Sequence, residues 1–127
     1  MRRFVKLALL VCAVAMVFAA VSAASTKKYA VHSTITKSGH TIAGKLSSPK
    51  SKCIKNRTFT VGYRLHTPGN RTYIVTSDAS GRWKVNDDLS GKGEALVDVH
   101  IGKLTISNKP HHKRVCKAGH AQKVLTF

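Results

Sequence analysis

The chain has 127 residues and carries 22 Lys and Arg against 5 Asp and Glu, a formal charge of +17. That length holds one small domain. Five acidic side chains leave little material for paired-carboxylate catalysis or for a carboxylate-rich Ca²⁺ or Mg²⁺ site, and 43% hydrophobic residues is too many for a disordered basic tail.

Residues 1–23 read as a secretory signal peptide in helical form. Arg2, Arg3 and Lys6 make a positive n-region, Leu7 to Ala20 is an uncharged apolar run, and Val21-Ser22-Ala23 supplies the small residues of a cleavage site, after Ala23 or after Ala24. An uncleaved anchor is the alternative, since Leu7 to Ala24 is at the short end of what spans a bilayer. Cys12 follows Leu9-Leu10-Val11 rather than a small residue, so no lipid attachment is expected there. Of 127 residues, losing 23 leaves 104, and losing three basic residues lowers the charge from +17 to +14. Contact with a membrane is then expected only through the signal segment before cleavage, and the location is secreted, periplasmic or cell-envelope.

The remaining chain, 24–127, is about one-third apolar, a lean core that gains from a staple. It keeps two cysteines, Cys53 and Cys116. In an oxidising compartment two cysteines permit one pairing, and a loop of that length is worth about 4 kcal/mol in the chain-entropy picture. The absence of a C-x-x-C spacing argues against zinc thiolates.

From Tyr29 onward the apolar period is two. It runs through Tyr29, Val31 and Ile35, then Ile42, Gly44 and Leu46, then Phe59, Val61, Tyr63 and Leu65 up to His66. Trp83 and Val85 follow, then Ala95, Val97, Val99 and Ile101. This is the pattern of half-buried strands. Ser38-Gly39, Ser47 to Lys52, Thr67-Pro68-Gly69-Asn70, Asp78-Ala79-Ser80-Gly81, Ser90 to Gly93 and Asn108-Lys109-Pro110 separate them with turn residues. About seven short strands at this spacing predict an all-β, single antiparallel Ig-like β-sandwich over 24–127.

Three segments carry a resemblance: Ile42-Ala43-Gly44-Lys45-Leu46, Phe59-Thr60-Val61, and Thr76-Ser77-Asp78-Ala79-Ser80-Gly81-Arg82-Trp83. Together they resemble the carboxypeptidase regulatory-like and transthyretin-like β-sandwich domains, with their I-x-G-x-V opening and T-D-x-x-G-x-F/W turn into a strand. The resemblance covers roughly two-thirds of the chain, from about Ile42 to Phe127. It extends to small exported bacterial proteins with one cysteine before the third strand and one near the C-terminus. It implies a sandwich fold and a non-enzymatic accessory role, and it carries no catalytic residue onto this chain. Lys52-Cys53-Ile54-Lys55-Asn56-Arg57 stands where many such domains have a proline-rich loop.

Charge is the strongest functional signal. Basic residues cluster at Lys27-Lys28, at Lys50 to Arg57 and at Lys109 to Lys117, the last two around the cysteines. A Cys53–Cys116 bridge would join them into one positive face of Lys50, Lys52, Lys55, Arg57, Lys113, Arg114 and Lys117. Such a face attracts polyanions through its field and through counterion release. The expected partner is an anionic envelope polymer or acidic glycan, with nucleic acid bound only non-specifically. The same charge also serves plain solubility.

Seven histidines follow the signal: 32, 40, 66, 100, 111, 112 and 120. His111, His112 and His120 share the C-terminal segment, but neighbours on a strand point apart and no acid stands close to them in sequence, so neither a metal nor a cofactor is expected. A small basic RNase-like hydrolase would need a histidine with a second histidine or with Glu94 as acid and base, plus a cation, and no motif marks such a site. An Ig-like domain for one protein partner is the other alternative. The sequons Asn56-Arg57-Thr58 and Asn70-Arg71-Thr72 carry no weight on function. Tyr63 and Trp83 are assigned to the core; Tyr73 fits core or surface.

Overall fold

A computed structural model describes residues 25–65 and 69–127. The signal segment with its cleavage site and Cys12, His66, and the Thr67-Pro68 half of one turn lie outside the described residues.

The chain is all-β. Its strands are β1 (Ser25–Tyr29), β2 (His32–Ser33), β3 (Thr36–Ser38), β4 (Thr41–Ser47), β5 (Thr58–Leu65), β6 (Arg71–Thr76), β7 (Arg82–Lys84), β8 (Glu94–Ile101), β9 (Leu104–Lys109), β10 (His112–Cys116) and β11 (Gly119–Thr126). Among the described residues a single 3₁₀ turn, η1, covers Ser51–Cys53. Among the described residues no helix is long and apolar enough to cross a membrane.

Period-two alternation builds the main sheet, ordered β11-β8-β5-β6. Phe59, Val61 and Tyr63 of β5 and Ala95, Val97, Val99 and Ile101 of β8 are buried on one face, while the residues between them face outward. The pairing Val61↔Val99 and Tyr63↔Val97 keeps the two apolar sets in step. A second sheet has β4 at its centre, flanked by β2 and β3 on one side and β7 on the other. Its Ile42, Leu46 and Trp83 join the inward residues of the main sheet in one buried cluster, so the two sheets enclose a common core as a β-sandwich. Phe59 meets Trp83 edge-on across that core, with ring centroids 5.6 Å apart.

Gly44 is required by that packing. It pairs with Trp83 in the β4–β7 register, and a Cβ there would stand 2.1 Å from the Thr34 carbonyl and 2.5 Å from the indole. The indole Nε1 donates to Ser33 Oγ at 3.0 Å. The Asp78–Gly81 turn forms as its residues prescribe. Asp78 Oδ1 accepts the Ser80 and Arg82 amides at 2.9 Å each, and Gly81 takes φ +88°. At the sandwich end, Asp87 accepts Tyr63 Oη at 2.8 Å and also Tyr73 Oη, whose ring stacks on that of Tyr63.

Three features differ from the sequence reading. The Tyr29–Ile35 alternation does not form one strand. It splits between β1 and β2, because β1 leaves the sandwich to pair with β10 while Val31 and Ile35 remain buried in the core. That β1–β10 pairing is parallel, so the antiparallel expectation fails at this one place. Lastly, β9, β10 and β11 lie where apolar alternation is too weak to read: of the β11 residues only Gly119, Ala121 and Leu125 are even half-buried.

Candidate functional site

The small sheet β1-β10-β9 is the chain's most cationic element. The segment Ser25-Thr26-Lys27-Lys28-Tyr29 has no apolar face, so β1 is held mainly by its backbone ladder to β10, continued by the Lys117 amide to Tyr29 O at 2.8 Å. Cys116, at the end of β10, bonds to Cys53 of η1, with Cα atoms 5.5 Å apart and both side chains fully buried. Lys52 and Lys117 flank the two half-cystines in sequence, so their Cα atoms are at most about 13 Å apart. The bridge therefore brings the two basic segments together.

The register divides the cations. Lys27 stands directly opposite Arg114, and His112 opposite Lys109. These four share one face of the small sheet by strand alternation, while Lys113, with Lys28, takes the other. Arg114 is held in place: its guanidinium donates to Lys113 O at 2.9 Å and lies 3.0 Å from His112 Nδ1 and 3.4 Å from Ser25 Oγ. Lys52, Lys55 and Lys117 are exposed; Lys50 and Lys113 are half-buried. The cations of this lobe thus lie on both faces of the small sheet.

Arg57 does not belong to that surface. It is buried, and its guanidinium donates to Cys53 O at 3.2 Å and Gly102 O at 2.6 Å. Burial lowers its pKa from the ordinary arginine value. Its role is to satisfy carbonyls beneath the disulfide. Lys27 and Lys109 take a place in the lobe that the seven-residue set did not give them.

The four aspartates each have side-chain partners of their own. Asp78 is engaged within its own turn, Asp87 with the two tyrosines, Asp88 with Ser90 and Asp98 with histidines. Two like charges directly opposed on neighbouring strands disfavour each other, and an anion bridging them removes that repulsion.

A second cluster sits on the outward face of the main sheet. Asp98 and His100 are two apart on β8 and share a face, and His120 of β11 stands directly opposite His100. His120 Nε2 is 2.6 Å from Asp98 Oδ1, and His100 Nε2 is 3.3 Å from Asp98 Oδ2. The imidazoles stack with centroids 4.4 Å apart. Partial desolvation pushes the Asp98 carboxyl upward, but hydrogen bonds from His120, Gln122 and His100 outweigh it and hold its pKa below the ordinary aspartate value. The sequence reading missed this group because it grouped His120 with His111 and His112, which lie in the β9–β10 turn and at the start of β10. The signal that finds it is Asp98-x-His100 on an alternating strand.

Glu94 opens β8, six residues before His100, or about 20 Å along the strand. A glutamate–histidine acid–base pair is therefore not assembled between these two.

Compared with known proteins, the chain matches no family model, no curated protein and no solved structure.

Proposed function

We propose that the chain is an exported, non-enzymatic Ig-like binding module that holds anionic envelope or extracellular polymers on the cationic lobe around Cys53–Cys116. The observation that carries this reading is Lys27 paired directly with Arg114 across the β1–β10 ladder, on the strand that ends in the disulfide. A repeating polyanion, such as a polyphosphate or an acidic glycan, supplies several charges at the spacing of such a platform, and its binding releases condensed counterions. The disulfide supports an oxidising compartment, hence export.

The carboxypeptidase regulatory-like reading rests on one contact. Two of its three segments meet there: Ile42–Leu46 lies on β4, and Thr76–Trp83 ends on β7, which pairs with β4 so that Gly44 lies beneath Trp83.

The test is salt elution from immobilised heparin. Lys27→Gln/Arg114→Gln should elute at clearly lower salt than Lys84→Gln/Lys92→Gln, which removes the same charge from exposed positions outside the lobe. Equal shifts would reduce the interaction to net charge and overturn the lobe. Retention insensitive to salt would instead favour a specific protein partner.

A further inference from the structure

We propose that Asp98, His100 and His120 form a binding site for a borderline divalent transition ion of the Zn²⁺ or Cu²⁺ kind. The site is independent of the cationic lobe and uses none of its residues.

The backbone alone brings the ligands together. Asp98 and His100 point outward from alternate positions of β8, and the β8–β11 register sets His120 opposite His100. One ligand atom from each of the three lies within 4.8 Å of the others. Neighbouring donors on a tetrahedral ion with bonds of about 2.0–2.1 Å are themselves about 3.3 Å apart. His100 Nε2 already stands at that spacing from Asp98 Oδ2, 3.3 Å, and His120 Nε2, 2.6 Å from Oδ1, needs to move out by less than an ångström to admit the ion. Both histidines present Nε2 to the same carboxylate, and their stacked rings point those nitrogens the same way. A cation in place of the bridging protons would satisfy all three groups at once.

The chemistry of the donors selects the ion. Two imidazoles and one carboxylate suit Zn²⁺ and Cu²⁺; Ca²⁺ and Mg²⁺ demand more oxygens. Gln122 stands directly opposite Asp98 in the β8–β11 register, outside the donor set, where its amide can support the carboxylate in the way ligand carboxylates characteristically are supported. Three protein ligands leave at least one position for water or an external ligand. Asp98 and His100 also line a groove of about 320 Å³ whose floor is Gly62, where the missing side chain leaves space between Thr72 and Asp98. Arg64 and Arg71 stand along the same groove, so the external ligand it favours at the ion is an anion.

The test is Zn²⁺ titration of the disulfide-bonded protein, free of any polyhistidine tag, followed by calorimetry and by imidazole ¹⁵N NMR. The expected result is uptake of one equivalent, with the Nε2 signals of His100 and His120 shifted. Asp98→Asn and His120→Ala should each weaken uptake by at least about tenfold, with Gln122→Ala weakening it less. His111→Ala/His112→Ala should leave it unchanged. His100 and His120 are 61% and 50% exposed at the side chain, so an unaltered far-UV CD spectrum is expected and separates lost binding from lost folding. Absence of uptake by the unaltered protein overturns the site. So does uptake that survives Asp98→Asn and His120→Ala, or that depends on His111 and His112.

Discussion

Arg57 Nη2 donates to the carbonyl of Gly102 at 2.6 Å, tying the segment after η1 to the turn between β8 and β9. The same guanidinium reaches Cys53 O, and the Arg57 amide donates to Ser77 Oγ at 2.9 Å. A cation counted from sequence as part of a binding face is thus a buried structural donor.

Arg57→Ala should therefore act on stability. It leaves the Cys53 and Gly102 carbonyls without this donor, and losing charged hydrogen bonds at a buried site costs about 2–3 kcal/mol. The expected outcome is a lower urea midpoint at unchanged slope, with a smaller loss of heparin retention than Arg114→Ala causes. The reverse ranking would return Arg57 to the surface.

Gly44→Ala should be among the most damaging single changes. Its Cβ would meet a backbone oxygen at 2.1 Å and the Trp83 ring at 2.5 Å, and neither can withdraw without disturbing the sandwich. Overpacking of this kind costs about 3 kcal/mol or more. Gly39 has φ +62° and nothing within 4 Å of an added Cβ, so Gly39→Asn, which tolerates that backbone, should be close to neutral. Thermal unfolding of both variants distinguishes steric crowding from backbone strain.

Removing the disulfide should cost about 4 kcal/mol, because it closes a loop with a sequence separation of 63. The effect should extend to binding. Without the bridge, the segments carrying Lys52 and Lys117 lose a covalent tie, and heparin elution should move to lower salt in Cys53→Ala/Cys116→Ala. Unchanged elution would mean that the ladders alone hold the lobe together.

The Tyr63–Tyr73–Asp87 contact predicts a pH signature. Hydrogen bonds from Tyr73 and Tyr63 hold the Asp87 pKa below the ordinary value. Its contribution is therefore present above the unfolded aspartate pKa of about 3.9 and is lost as pH falls through the lower folded value. Desolvation, then contacts with Tyr73 and Asp87, raise the Tyr63 pKa. That contribution is present below about pH 10 and is lost as pH rises through the folded value. The stability gap between the native protein and Tyr73→Phe should be widest near neutrality and shrink in strong acid. A gap constant with pH would show that packing alone accounts for it.

The strands with a clean period of two were legible. Phe59 to Leu65 and Ala95 to Ile101 each carry an apolar face wide enough to declare itself, and the Asp78–Gly81 turn follows from local hydrogen bonding. The cysteine pairing was legible as well, on the expectation that Cys12 belongs to the signal segment, which leaves Cys53 and Cys116 as the one pair. Two polar strands were not: β1 and β11 bury few apolar side chains, and their places are set by backbone pairing with β10 and β8.

The same division holds for the candidate sites. Amino-acid sequence alone determined that charge would gather around Cys53 and Cys116, because clustering is a property of neighbours along the chain. Only the tertiary structure decided that Lys27 faces Arg114, that Arg57 turns inward, and that His120 meets Asp98 and His100. Those relations depend on strand register. A shift of one residue would send each outward side chain to the opposite face; the buried core excludes that shift on β5 and β8, whereas β1 is placed by its backbone ladder to β10.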